Sequence, residues 1–180
     1  ATGKRVSSFI SENDLVLECA CGTGEISRFI APVCRKLYAT DYSTGMLKQA
    51  KRKLSAFSNV SVGKADMTAL KVKDNSFDIV VAGNVIHLLP EPEKAMGELF
   101  RVCKDGGKLI IPTYINGSTG TNQWAVRFLE LLGANFKRQF SEESYRAFFE
   151  AMGYQDVCYE IVRGRMPCDI AVISVKKCEG

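Results

Sequence analysis

The sequence predicts an α/β fold: a Rossmann-like, doubly wound sheet of seven strands, mostly parallel, with one antiparallel edge hairpin strand. Three observations predict it. Short apolar segments alternate with segments of helical periodicity, which predicts parallel strands joined by helices on both faces. A Gly-rich turn follows the first strand, as in nucleotide-binding sheets. Two final strand-like segments are joined by a loop too short for a crossover helix, which predicts an antiparallel pair.

Apolar segments predict five strands before the last third of the chain, at residues 15–19, 37–42, 60–64, 77–82 and 108–114. The helical spacing of Ile26, Phe29, Ile30 and Val33 predicts a helix after the first strand. Ser43 is placed to cap the next helix, and the turn at 104–107 ends a helix over residues 91–103. The last third predicts helices at 122–132 and 142–152 and strands at 156–162 and 169–176. We expect one domain over residues 1–180.

The composition argues against several classes of protein. The chain has 180 residues, 46% of them hydrophobic, and no apolar run approaches the roughly 18 to 20 residues that span a bilayer. With no apolar signal core at the N-terminus, we expect a cytoplasmic protein. Seven cysteines without a C-x-x-C pair, and a single histidine, argue against a disulfide framework and against a metal site.

The net charge of +4 includes a basic cluster at Arg35, Lys36, Lys48 and residues 51–53. Lys48, Lys51 and Arg52 share the polar side of an amphipathic helix, so a solvated face explains them better than a nucleic-acid contact. Nucleic acid is therefore not the expected partner.

The turn after the first strand contains Gly22 and Gly24, which permit close approach of a ligand to the backbone. A helix beginning near Glu25 would point its free N–H groups at the same place, making a cradle for an anion. Many nucleotide-binding folds use such a turn, and a tight connection would look the same.

Two acidic residues restrict the kind of ligand that the turn could bind. Asp41 ends the second strand, where a carboxylate can accept both hydroxyls of a ribose held over the turn; capping of the following helix is the alternative. Asp66 and Met67 follow the third strand and suit an adenine, which takes an acceptor, a backbone donor and an apolar contact; an Asx-type turn is the alternative at Asp66.

Taken together, four segments resemble the class I S-adenosylmethionine-dependent methyltransferases, in the small-molecule branch that includes ubiquinone and menaquinone biosynthesis enzymes. The segments are VLECACGTG (16–24), YATDYSTGMLKQAKRKL (38–54), KADMTALKVKDNSFDIVVAGNVIHLL (64–89) and ELFRVCKDGGKLII (98–111). The resemblance implies S-adenosyl-L-methionine as cofactor and a small-molecule acceptor. It covers about residues 14–115.

The resemblance also implies roles for individual residues. The methionine part of the cofactor would lie on residues 18–24, including Glu18, Ala20, Cys21, Gly22 and Gly24. Asp41 would hold the ribose, Tyr42 and Met46 would surround the adenine, Asp66 and Met67 would contact its edge, and the backbone of Asn84 and Val85 would border the methionine end. Ala20 stands where the family usually has glycine. About a dozen residues precede the first predicted strand, so we expect the N-terminal lid segment of the family to be missing, short or supplied elsewhere.

Two other functions compete with methyl transfer. A nicotinamide-dependent oxidoreductase would need glycine or alanine where this chain has Ser27, which breaks the G-x-G-x-x-G/A fingerprint. A cofactor-binding or regulatory domain that has lost turnover is suggested by Ala20.

Methyl transfer is an in-line displacement in which the protein mainly aligns the acceptor, so a general base is optional. His87, three residues beyond Asn84, is the candidate base, with helix capping or packing as the alternative. Cys21 is expected to pack in the turn rather than act as a nucleophile. Tyr114 and Trp124 are candidates for the acceptor pocket, with packing in the core as the alternative for Trp124, which shares a predicted helix face with Phe128, Leu131 and Leu132. The sequence GNVIHLL replaces the Asn/Asp-Pro-Pro-aromatic motif of enzymes that methylate amides and exocyclic amines, which favours small organic acceptors.

Overall fold

The structure, a computed structural model, describes residues 1–115, 140–163 and 167–177. Its seven strands are β1 (Leu15–Cys19), β2 (Lys36–Asp41), β3 (Val60–Lys64), β4 (Phe77–Ala82), β5 (Cys103–Tyr114), β6 (Val157–Val162) and β7 (Cys168–Ser174). Its helices are α1 (Thr2–Ser7), α2 (Ser27–Ile30), α3 (Thr44–Leu54), α4 (Pro92–Val102) and α5 (Glu142–Ala151), with 3-10 turns at Ala31–Val33 and Ile86–Leu88. The helix predicted at 122–132, with Trp124, lies outside the described residues.

The strands form one sheet in the order β3-β2-β1-β4-β5-β7-β6. β1 pairs in parallel with β2 on one side and with β4 on the other, so the winding reverses at β1. β7 runs antiparallel to both β5 and β6. The predicted parallel sheet with an antiparallel hairpin is therefore confirmed. The antiparallel strand is β7, one place in from the edge.

Helices cover both faces of the sheet, which explains why the strands are apolar on both sides. Successive β4 residues belong to opposite cores: Val80 packs with α4 and α5, and Val81 with α1, α2 and α3. The first core includes Met96, Leu99, Tyr145 and Phe149, and the second includes Val6, Ile30, Leu47 and Leu54. The basic residues of α3 face solvent, as the amphipathic pattern predicts.

The helix after β1 is shorter than predicted. Its α-helical part is only Ser27–Ile30, and residues 22–26 before it form turns. Pro32 follows within the 3-10 turn and has no N–H to donate to the carbonyl of Arg28, so the α-helical ladder cannot continue. The expected helix N-terminus near Glu25 is therefore a turn rather than the start of a regular helix.

β5 begins five residues earlier than predicted, at Cys103, so the segment KDGG lies inside the strand and not in a turn. The pairing of β4 with β5 shifts register here, between Phe77 and Ile79. Gly107 permits the irregularity, because a Cβ there would lie 2.6 Å from the carbonyl oxygen of Asp78.

α1 is an element that the sequence pattern does not predict. Its Gly3 packs so closely on Phe29 that a Cβ would lie 2.3 Å from the ring. Arg5 of the same helix forms an ion pair with Glu160 of β6. Among the described residues, none of the helices has the length and hydropathy needed to span a bilayer.

Candidate functional site

The candidate site lies where the parallel strands end together. β1, β2, β4 and β5 all finish at one edge of the sheet, and the reversal of winding at β1 leaves a crevice between the loops that follow them. The residues predicted to bind the cofactor lie at the ends of β1 and β2 and in the segments that follow β1, β2, β3 and β4. Topology thus brings them to a single edge.

The turn after β1 contains three residues with left-handed backbone: Ala20 (φ 53), Gly22 (φ 55) and Gly24 (φ 82). A Cβ built on Gly22 would meet no atom within 4 Å, so this glycine borders open space. A Cβ on Gly24 would lie 3.3 Å from Leu54 of α3. Gly22 therefore leaves room for a ligand, and Gly24 allows the turn to pack against α3.

Ala20 explains why the family resemblance calls for glycine at its position. Its φ of 53 lies in the region that glycine occupies freely and that other L residues enter at a cost of about 1 kcal/mol or more. The chain keeps the glycine-like backbone here with an alanine side chain. Alanine in place of glycine therefore strains the backbone, and its methyl group also takes up space that a ligand would occupy.

Glu18 is a buried carboxyl group at the end of β1, with 2% of its surface exposed. Its Oε2 accepts a hydrogen bond of 2.5 Å from the hydroxyl of Ser27. Burial raises the pKa of Glu18 to about 8, against the opposing effect of the Ser27 hydrogen bond. Oε1 accepts no hydrogen bond from the described residues, which leaves it available to a ligand.

Cys21 packs in the turn, as expected. Its thiol is buried, and its N–H donates to the carbonyl of Thr40, 2.9 Å away. Burial, followed by the nearby carboxyl groups of Glu18 and Asp41, raises the pKa of the Cys21 thiol. Burial likewise raises the pKa of Cys19 to about 12. Both thiols are held in the poorly nucleophilic protonated form.

Asp41 joins the ends of β1 and β2. Its Oδ2 accepts from the N–H of Gly22 and its Oδ1 from the N–H of Ser43, both at 2.8 Å. Each oxygen keeps a second lone pair, so the carboxylate can fix the turn and still accept from a ligand. The bond to the N–H of Ser43 agrees with the alternative interpretation, in which Asp41 supports the turn before α3, and ribose binding stays a prediction.

Tyr42 and Met46 flank this carboxylate. Tyr42 is 58% exposed, and the ammonium group of Lys64 lies 4.8 Å from its ring centre. Met46 is half-buried at the start of α3, and its N–H donates to the Ser43 hydroxyl at 3.4 Å. An exposed aromatic face beside a flexible thioether suits the flat ring predicted here.

Asp66 forms the Asx-type turn that was its alternative interpretation. Oδ1 accepts from the backbone N–H of Thr68 at 2.9 Å and from its hydroxyl at 2.7 Å, and these bonds lower the pKa of Asp66. Oδ2 accepts no bond from the part of the chain that is described. Met67, next to it, is buried. The turn and a ligand contact are compatible, because they use different oxygens.

The loop after β4 is fixed to β5 through Asn84. Its N–H donates to Pro112 O at 2.7 Å, and its side-chain oxygen accepts from the N–H of Tyr114 at 2.8 Å. Asn84 has φ 54, a backbone conformation that asparagine tolerates well. Val85, half-buried, precedes the 3-10 turn that contains His87. The His87 side chain lies outside the described part of the structure.

Sequence reasoning missed two supports of this site. In the sequence, Ser27 stands out only because it breaks a dinucleotide fingerprint, but in the structure its hydroxyl donates a hydrogen bond to Glu18. The Thr40 hydroxyl donates to the carbonyl of Glu18 at 3.0 Å and ties β2 to β1. The signal for Ser27 was its position on the buried side of the predicted helix, where a polar side chain needs a partner.

Two open cavities lie away from this crevice. One, of about 490 Å³, is bordered by Asp14, Asp78 and Lys104 at the amino ends of the parallel strands. The other, of about 460 Å³, is bordered by Phe100, Met152 and Lys176 and also lies at the amino ends of the parallel strands. Neither contains a residue predicted to bind the cofactor.

Comparison with known proteins points to the part of the chain that contains this crevice. Residues 17–111 match the family model described as "Methyltransferase domain". The demethylmenaquinone methyltransferase of Renibacterium salmoninarum is 38% identical over 105 residues, covering 58% of this chain and 43% of the relative. The ubiquinone/menaquinone biosynthesis C-methyltransferase UbiE of Rickettsia felis is 27% identical over 187 residues, covering 84% of this chain and 73% of the relative.

Among solved structures, a SAM-dependent methyltransferase from Aquifex aeolicus has a TM-score of 0.73 with 22% identity. The match covers 96% of this chain and 89% of the other. This likeness shows the fold. The chain spans less than half the length of the first curated relatives it matches, 43% and 44% in two demethylmenaquinone methyltransferases.

Proposed function

Because the chain belongs to the methyltransferase domain family, we propose that it is an enzyme that transfers a methyl group from S-adenosyl-L-methionine to a small-molecule acceptor. The observation that carries the proposal is the contact of Gly22 with Asp41. The N–H of Gly22 donates to Asp41 at 2.8 Å, and the same glycine borders open space. The turn after β1 is thus bonded to Asp41 at the end of β2, and there is open space for a ligand beside them.

The charges of the site suit this cofactor. The free Oε1 of Glu18 would accept from the ammonium group, and the positive charges of the cofactor would favour the ionised form of this carboxyl group, whose pKa is raised to about 8 without them. Asp41 would hold the ribose hydroxyls with its second lone pairs. The exposed ring of Tyr42 and the free Oδ2 of Asp66 would take the face and the amine of the adenine.

When bound, the cofactor supplies an electrophilic methyl group that an acceptor takes by in-line displacement. The task of this chain is to hold the acceptor in line and to exclude water. Asn84 fixes the loop that borders the reacting end by bonding to Tyr114 of β5. His87, in that loop, would remove a proton from an acceptor hydroxyl.

The acceptor class follows from the names of the relatives, which act on demethylmenaquinone or belong to ubiquinone and menaquinone biosynthesis. We propose a hydroxylated aromatic ring of the quinol type. Nucleic acid has no support beyond net charge, and the cytoplasmic location stays a prediction.

A matched pair of glycine variants tests cofactor binding. Gly22→Ala and Gly106→Ala both place a Cβ at positive φ (55 and 74) where no atom lies within 4 Å. Both should therefore lose about 1 kcal/mol of stability, but only Gly22→Ala fills the crevice. Titration with S-adenosylhomocysteine should show at least a roughly tenfold loss of affinity for Gly22→Ala and none for Gly106→Ala. Binding of NADH, with no binding of S-adenosylhomocysteine, would contradict the proposal.

The alternative is a cofactor-binding domain of the same fold without turnover, suggested by Ala20. Incubation of the wild-type protein with labelled S-adenosylmethionine and a panel of hydroxyaromatic acceptors distinguishes the two. Tight binding of S-adenosylhomocysteine with no labelled product across the panel favours the non-catalytic domain.

A further inference from the structure

Two buried polar side chains face each other across β5 and β7 without hydrogen-bond partners. Thr113 and Asp169 are direct neighbours in the antiparallel ladder and are 1% and 0% exposed. Neither the Thr113 hydroxyl nor either carboxyl oxygen of Asp169 makes a hydrogen bond of normal geometry with a described residue, although the Tyr145 hydroxyl interacts with Thr113 and the N–H of Ile170 with Asp169. Leaving such groups unpaired costs about 1–3 kcal/mol each, so their presence calls for an explanation, and a bound ligand is one.

The pair lies at the edge of the sheet that carries the candidate site. Thr113 immediately precedes Tyr114, whose N–H donates to Asn84 in the loop after β4. β5 and β7 are the next two strands beyond β4, and neighbouring strands are about 4.8 Å apart. Asp169 therefore lies roughly 10 Å from β4 along the sheet. A molecule of one or two fused rings spans this distance.

The surroundings of the pair are apolar and aromatic. Alternation along the strands places Thr113 on the same face as Ile111, and Asp169 on the same face as Ala171, in the core that contains Tyr145. The ring of Tyr145 makes edge-on contacts with Phe140 and Phe149, at centroid distances of 5.4 and 5.1 Å. The hydroxyl of Tyr145 donates to the carbonyl of Ile111.

A raised pKa favours the neutral form of Asp169, which widens what the pair can bind. Burial raises the pKa of the Asp169 carboxyl, while Arg146 on α5 acts in the opposite direction. A neutral carboxyl group can donate one hydrogen bond and accept another, and the Thr113 hydroxyl can do the same. An uncharged oxygen of a ligand satisfies both groups.

We propose that Thr113 and Asp169 bind an oxygen substituent, a hydroxyl or carbonyl group, of an aromatic acceptor whose reacting atom lies over the loop after β4. This inference rests on the proposed methyl transfer. An acceptor that lacks the oxygen leaves two buried polar groups unpaired, which is how such sites reject a close analogue. Since both side chains are closed off from solvent, the acceptor enters with a local opening around the pair.

The first test is thermal stability, because a recognition pair and a structural pair respond in opposite ways. Thr113→Val removes an unpaired hydroxyl and should raise the Tm by about 2–4 °C. Thr40→Val removes a hydroxyl that bonds Glu18 and should lower the Tm. A fall in the Tm of Thr113→Val would mean that the hydroxyl stabilises the fold, and would overturn the proposal.

The second test is binding, with 1,4-dihydroxynaphthalene and 1-naphthol as probes, titrated anaerobically into protein saturated with S-adenosylhomocysteine. The wild type should prefer the diol by about tenfold. Thr113→Val and Asp169→Asn should each reduce that preference to about twofold or less, with unchanged affinity for S-adenosylhomocysteine. A preference retained in both variants, or absent from the wild type, overturns the inference.

These outcomes separate the inference from the proposed function. If the wild type fails to bind S-adenosylhomocysteine, the proposed function fails. If it binds the cofactor product and methylates an acceptor, while the Thr113 and Asp169 variants keep the wild-type preference, only the inference fails.

Discussion

The hydroxyl of Ser27 donates a 2.5 Å hydrogen bond to Glu18 inside the protein, where Glu18 is almost inaccessible to water. Burial raises the pKa of Glu18 from 4.5 to about 8, so the folded protein holds this carboxyl group mainly protonated at neutral pH. An unfolded chain would ionise it. The candidate site therefore contains a group that makes folding depend on pH.

Glu18→Gln should stabilise the protein at high pH. Because the folded pKa is raised, the stability that Glu18 contributes is fully present below pH 4.5 and is lost as the pH rises through about 8. Glutamine cannot ionise and keeps an oxygen for Ser27. The variant and the wild type should be similar at pH 4, and the variant should be more stable by roughly 3–5 kcal/mol at pH 9. Urea unfolding across this range measures the difference.

Glu25→Gln is the matched control for that experiment. Glu25 is exposed, and its pKa is lowered by the hydrogen bond and charge of Lys53. Its small contribution is present above pH 4.5 and is lost as the pH falls, so the variant should be less stable than the wild type at pH 7, by less than about 1 kcal/mol. A Glu18→Gln curve parallel to the wild-type curve would contradict the assignment of a raised pKa.

Ala20→Gly should increase stability, although glycine usually decreases it. Ala20 has φ 53, and relief of this strain outweighs the extra chain entropy of glycine by up to about 1 kcal/mol. Ala31→Gly, at an ordinary φ of −50, should destabilise. Thermal unfolding of both variants checks the sign. Destabilisation by Ala20→Gly would show that the alanine methyl contributes more packing than its strain costs.

Asp41→Asn should weaken both the fold and cofactor binding. An amide has one acceptor oxygen, so it cannot serve the N–H groups of Gly22 and Ser43 together, and the loss should be about 1–3 kcal/mol. Affinity for S-adenosylhomocysteine should fall by about tenfold or more. Asp66→Asn is the control, because asparagine forms the same Asx turn, and its stability should change by less than about 0.5 kcal/mol.

His87→Ala should lower turnover by about a hundredfold if His87 removes a proton from the acceptor. Affinity for S-adenosylhomocysteine should change by less than about twofold, since the predicted cofactor contacts near it come from Asn84 and Val85. Single-turnover rates with an excess of acceptor measure the effect. An unchanged rate would remove His87 from the mechanism.

Much of the sheet could be predicted because burial on both faces requires continuous apolar strands. The segment of β4, FDIVVA, is short and rich in β-branched residues, which favours a strand, and the observed strand has the predicted bounds. α1 escaped prediction because its buried residues are only Gly3 and Val6, too few to show a period. The extent of α2 escaped it because Ile26 to Val33 keep helical spacing across Pro32, although the backbone cannot follow.

The positions of the site residues could be predicted in part, and their bonding could not. The strand ends place Glu18, Asp41 and Asn84 at one edge of the sheet. The left-handed backbone of Ala20 depends on how the turn after β1 packs against α3. The local sequence contains no pattern that predicts this packing. Asp169 is the second residue of β7, and the apolar residues that follow it predict a strand and no site. An acidic residue in the apolar segment CDIAVIS already indicates an unusual position. Only the strand register shows that Thr113 lies opposite it.

The place of β7 in the sheet has a consequence for synthesis on the ribosome. β5 can bond to β4 as soon as both strands have emerged, but its other side is completed only by residues 168–174, near the end of the described chain. Until then β5 has an unpaired, apolar edge of the kind that joins neighbouring chains. A nascent or truncated chain lacking β7 should therefore depend on chaperones to avoid aggregation.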